Sequence, residues 1–303
     1  MMDPNATVFA AIRRATAAAL LLVMFTGCTH RDHDGAATTS SPAADGPKIP
    51  FTGLTQDLRF RWTAEPGIDL LTGPAVVIRA YRESFTLGGL MADPAYYYPG
   101  FDTSVPPKNY STDNYAARPL VKGEEDLRSS GFQTTTPIIG TWRQHILSLT
   151  GDDAKGYTAL VCSWDYATGV QQRDGAYRYA NRLPPKAPGT VAPEIGTNVY
   201  LIVLAPPSST EPNPVTTRQF GSSPNPTTDV FDGWKITLGM DYKSISIEPP
   251  IRWPEDVYQR DFNTCVSKAP DSYEKRRFYL TGEHPKADFP TLPADPGWPA
   301  AGA

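Results

Sequence analysis

Histidine and cysteine are scarce in this chain, with four and three residues respectively among 303. His30 and His33 lie in a polar N-terminal stretch and His284 in a proline-rich C-terminal one, so His145 is the one histidine of the central region. A Ser–His or Cys–His pair therefore has a single candidate base, and a strand histidine with ordinary hydrogen-bond partners is its simpler reading. The Gly-x-Ser-x-Gly elbow, His-Glu-x-x-His, Cys-x-x-Cys, the P-loop and Gly-x-Gly-x-x-Gly are all absent. No catalytic residue, metal ligand or cofactor is expected on these grounds. Basic charge is also in short supply: 28 Lys and Arg against 32 Asp and Glu leave a net of −4, which argues against a nucleic-acid partner. Beyond residue 28 no apolar run is long enough to span a bilayer.

The N-terminus carries a clear pattern. Arg13 and Arg14 precede the uncharged run Ala15 to Phe25, which is too short for a spanning helix and suits the core of a signal peptide. The run ends in Phe25-Thr26-Gly27-Cys28, which resembles the lipobox of bacterial lipoproteins, actinobacterial secreted ones among them. The resemblance implies cleavage before Cys28, a diacylglyceryl group on its sulfur, and residence on the extracytoplasmic face of the cell membrane. Two acyl chains would suffice for stable anchoring. The arginine pair leaves the export route, general or twin-arginine, open.

With Cys28 given to lipid, Cys162 and Cys265 remain. In an oxidising compartment they are expected to form a disulfide, the alternative being two buried thiols.

Residues 28–50 are rich in Ala, Ser, Thr, Asp and Gly and read as a flexible tether. Residues 51–268 form a single domain opening on the packing groups Phe51, Leu54, Leu58, Phe60 and Trp62, with a Pro/Ser/Thr-rich loop at 205–229. A Pro-rich tail at 269–303, expected outside the fold, carries a short segment from Tyr273 to Leu280. Pro74 suits a first helical turn, and Leu71, Ala75, Ile78, Tyr81 and Phe85 recur at helical spacing. Arg79, Arg82 and Glu83 fall toward the other, solvated side, and Gly88-Gly89 marks the stop. Glu124-Glu125-Asp126 can open a helical turn. From Ile139 to Leu149 and from Tyr157 to Tyr166 the pattern alternates around the turn sequence Gly151 to Gly156, as in a hairpin. Asn198 to Leu204 and Trp234 to Ile247 add two further strands.

The expected class is α+β: an N-terminal helix on a curved antiparallel sheet of about four strands. This order resembles the NTF2-like (cystatin-like) cone folds, a likeness of pattern that carries no functional residues across. A mostly-β lipocalin-like or two-sheet architecture is the alternative.

Cone folds often enclose a pocket. Tyr96-Tyr97-Tyr98-Pro99-Gly100-Phe101 is dense in aromatic rings, so Tyr81, Phe85, Tyr97, Phe101, Trp142 and Trp164 are the candidate wall. Their competing role is simple core packing. Among acids, Glu124, Glu125, Asp126 and Asp165 are the candidates for a carboxylate pair. The reading is a membrane-anchored surface protein whose non-catalytic domain binds a small hydrophobic ligand or another envelope protein. The rival is a hydrolase or isomerase with an acid or His145 in the cone.

Overall fold

A computed structural model describes residues 50–107, 117–119, 134–180, 191–208, 217–241 and 253–302, all within one compact unit, Asp45–Ala303. The lipobox, Cys28 and Glu124-Glu125-Asp126 lie outside the described residues.

Among the described residues a 3-10 turn, Gly53–Thr55, and a strand precede the expected helix. In β1 (Asp57–Ala64), Leu58, Phe60 and Trp62 are buried and alternate with Asp57, Arg59 and Arg61, the period of a strand with one face on a core. It runs parallel to β2 (Ile138–Asp152), with Thr63 opposite His145. A parallel pair needs a crossover, and α1 (Gly73–Met91) lies in the connection between the two. β2 turns through residues 152–156 into β3 (Gly156–Trp164), the hairpin expected from the alternating pattern. β4 (Thr168–Gln171) continues along β2 after a corner and pairs with β5 (Tyr177–Tyr179). β6 (Thr197–Ala205) and β7 (Lys235–Met240) extend the other side of β3. Among the described residues seven strands thus form one curved, largely antiparallel half-barrel sheet in place of the about four expected. Bulges at Ile146/Ser148 and Val203/Leu204 help the strands bend.

Each face of the sheet has its own core. Leu58, Phe60, Trp142, Val161 and Ile202 pack toward α1. On the opposite face Cys162, Trp164 and Leu238 meet α3 (Glu255–Ser267) and α4 (Tyr273–Leu280). A disulfide between Cys162 and Cys265 ties β3 to α3 across 103 residues. Trp164 reinforces the same junction by donating its indole N–H to the Cys265 carbonyl at 3.0 Å.

Two expectations about α1 are corrected. Residues 75–84 are buried without interruption, so the helix has no solvated side there; Arg79, Arg82 and Glu83 are 0%, 2% and 1% exposed. The face expected to meet water is covered by the aromatic loop, including α2 (Phe101–Ser104), and by the C-terminal segment. The helix also runs past Gly88-Gly89 to Met91 and stops at Ala92, whose φ of 48° is left-handed. Gly88 is required for another reason: the Tyr97 ring occupies the place of a Cβ.

The proline-rich stretch is part of the domain. Its residue Asp295 bridges Arg61 of β1, accepting from the Trp62 amide at 2.6 Å, and Trp298 is 1% exposed. Proline has no N–H to donate, so such a segment covers a strand edge with few ladder bonds.

Candidate functional site

Strand alternation puts Arg143 and His145 of β2 on the face that carries α3, and parallel pairing puts Arg61 and Thr63 of β1 beside them. Glu65 follows the end of β1, its amide bonded to the Ile146 carbonyl. Lys268 and Pro270 come from the end of α3, which the disulfide pins to β3. All of these but Glu65, with Trp164 and Asp295, line a cleft of about 400 Å3.

A chain of contacts links the lining residues Thr63, His145 and Lys268 through Glu65. His145 Nδ1 lies 2.8 Å from Thr63 Oγ1, and Nε2 lies 3.1 Å from Glu65 Oε1. An ionised Glu65 can only accept, so Nε2 carries a proton toward it; when the ring is neutral, Nδ1 accepts from the Thr63 hydroxyl. Glu65 also pairs with Lys268. The Lys268 ammonium and then His145 hold its carboxyl below the usual range. Behind them Arg143 meets Asp271 at 3.0 Å, and Arg61 meets Asp295 at the mouth. Burial alone would raise the Asp271 carboxyl, but bonds from Lys275 and Tyr166 and the Arg143 charge bring it below its ordinary value. Chemically the arrangement can orient an imidazole, offer a hydroxyl to it, and present cations to a ligand.

The expected pocket residues divide into two groups. Tyr81, Phe85, Tyr97 and Phe101 come together, but with one another. Tyr97 stacks on Phe101 at 4.1 Å, and Tyr81 lies 6.1 Å from Phe101 and 6.0 Å from Phe85. Trp142 joins the same helix-side core, packed on Phe60 and donating to Ser163 Oγ at 2.8 Å. Trp164 is on the opposite face of the sheet and walls the His145 cleft. Asp165 is buried at the β3–β4 corner, where Tyr179 donates to it at 2.7 Å. Burial pushes its carboxyl up to about 6.

A second cleft of about 270 Å3 opens near the start of α1, lined among others by Gly73, Val76, Gln219, Asp229 and Trp234. Glu83 is enclosed instead: it accepts from Trp62, Tyr98 and Trp298 at 2.7, 2.7 and 2.9 Å. Burial raises its carboxyl against the opposing pull of Arg79 and those three donors.

Sequence reasoning passed over Thr63, Glu65 and Lys268. The alternation from Leu58 to Trp62 could have shown β1 and hence Thr63. Nothing local points to Lys268, which reaches the cleft only because α3 is bonded to β3. No family model, curated protein or solved structure matches this chain, so its functional reading rests on the residues described above.

Proposed function

We propose that this chain is an exported bacterial lipoprotein, anchored through Cys28, whose single domain binds a small ligand at the His145 cleft without transforming it. The observation that carries the export reading is the bond between Cys162 and Cys265, since structural disulfides persist where thiols are oxidised. It accords with the lipobox Phe25-Thr26-Gly27-Cys28 and the polar tether that follows. The binding reading draws on a cleft of ligand size whose walls come from β1, β2 and the end of α3. Wrapping of α1 by a curved sheet is in keeping with an NTF2-like cone. The expected aromatic pocket contributes less, because Tyr81, Tyr97 and Phe101 fill one another's space.

Two measurements test this. Cys28→Ala should abolish labelling by radioactive palmitate in the native host; undiminished labelling would overturn the anchor. Native mass spectrometry of the full chain in mild detergent should retain a small-molecule adduct. A bare mass, with crosslinks to an envelope protein in cells, would replace the ligand by a partner.

The Thr63–His145–Glu65 contacts favour one rival. Hydroxyl, imidazole and carboxylate stand in the order of a nucleophile, its base and the base's orienting group. Such a hydrolase would turn over nitrophenyl esters and lose that activity in Thr63→Ala; the binding reading expects no turnover from either protein.

A further inference from the structure

The His145 cleft differs in charge from the chain around it. Arg61, Arg143 and Lys268 line it together with His145, and Asp295 is its one acidic lining residue, on a chain of formal charge −4. The acids that balance the cations are unequal in hold. Arg143 and Asp271 are 17% and 11% exposed at the side chain, a shielded pair that stays made. Lys268 and Glu65 are 41% and 31% exposed, and Arg61 and Asp295 are 32% and 56%. Exposed pairs of this kind contribute little stability, so an incoming anion can share or replace them at little cost. Donor capacity is also to spare: an ammonium carries three N–H groups, and Glu65 already serves both Lys268 and His145.

The cleft has an apolar side as well. Trp164 has its indole N–H committed to the Cys265 carbonyl, so what it offers the cleft is hydrocarbon, and Pro270 adds to it. Cations and an aromatic wall in one cleft suit a molecule that has one flat apolar part and one acidic group.

Resting on the binding reading above, we infer that this cleft takes a small carboxylate- or phosphate-bearing ring compound, with its acid between Arg61 and Lys268 and its ring against Trp164. Charge-assisted hydrogen bonds from two cations account for the selectivity over neutral analogues.

Calorimetric titration of the full chain in mild detergent tests this, with benzoate and phenyl phosphate as probes and benzamide as the neutral match. At least one acid should bind about tenfold or more tighter than benzamide, and Arg61→Gln with Lys268→Gln should remove that preference. Circular dichroism of the double variant checks that it is folded, and Lys235→Gln, outside the cleft, should leave binding unchanged. Equal binding of acid and amide, or full retention by a folded double variant, would overturn the inference. Binding confined to phosphatidylglycerol vesicles, with no response to the soluble acids or to inorganic phosphate, would overturn it in favour of a lipid headgroup. A neutral native adduct would sink this inference and leave the binding reading standing; absence of any adduct or titration would sink both.

Discussion

The indole N–H of Trp298 donates to Oε2 of Glu83 at 2.9 Å, so a residue of the proline-rich segment completes the shell around a carboxylate in α1. Trp62 and Tyr98 supply the other donors, and the Arg79 guanidinium lies 4.2 Å over the Trp298 ring while donating to the Pro296 carbonyl at 2.7 Å. A buried carboxylate is costly unless hydrogen-bonded, and here its partners come from a strand, a loop and the C-terminal segment. This cluster holds the segment together with its backbone bonds to β1 and with apolar burial.

Trp298→Ala should therefore destabilise the protein by about 3–5 kcal/mol, the range for deleting a buried aromatic side chain. Urea unfolding measures it, and a loss under about 1 kcal/mol would mean that the segment does not dock in solution. Limited proteolysis should cut the variant, but not the parent, between Gly282 and Trp298.

Asp165 gives a pH dependence with a definite sign. Its folded carboxyl is raised from 3.8 to about 6 by burial, so the folded state favours the protonated form. That contribution is fully present below about pH 3.8 and fades as pH rises through about 6, a difference of about 3 kcal/mol in the limit. Asp165→Asn cannot ionise and keeps an acceptor for Tyr179. The stability of the variant relative to the parent should rise steadily from pH 4 to pH 7; a difference independent of pH would refute the burial argument.

Gly88→Ala sets two effects against each other. Alanine is the better helix former by about 1 kcal/mol, which taken alone predicts a gain. A Cβ at that position meets the Tyr97 ring, which is itself stacked on Phe101 at 4.1 Å and cannot retreat freely. Overpacking of this kind costs roughly 1–3 kcal/mol, so the expected result is a net loss in thermal or urea unfolding. A more stable variant would show that the aromatic loop yields.

Reduction of the Cys162–Cys265 bond should raise the intact mass by two hydrogens and lower stability by up to roughly 4 kcal/mol, strain permitting. Binding at the His145 cleft should weaken with it, because Lys268 and Pro270 are carried by the end of α3. Unchanged mass would show two free thiols.

Local pattern alone was enough for several elements. The helical spacing from Ala75 to Phe85, the turn from Gly151 to Gly156 with its flanking strands, the strand before Ala205 and the pairing of Cys162 with Cys265 could all be read from residues and their intervals. Each depends on neighbours in sequence, or, for the disulfide, on setting Cys28 aside as the expected lipid-bearing residue. The short β4 and β5 carried too little period to be seen, whereas Tyr258, Phe262 and Cys265 recur at helical spacing in α3 and could have shown it. Tertiary structure decided the rest. Arg79, Arg82 and Glu83 looked like a solvated face because their chemistry suits water; Arg79 and Glu83 are buried because a distant segment brings Trp298 to them, and Arg82 because β6 sets the Tyr200 ring under its guanidinium. Thr63, His145, Glu65 and Lys268 meet only because β1 pairs parallel to β2 and a disulfide fixes α3 beside them. Such contacts join positions as far as 215 residues apart, and no local propensity encodes them.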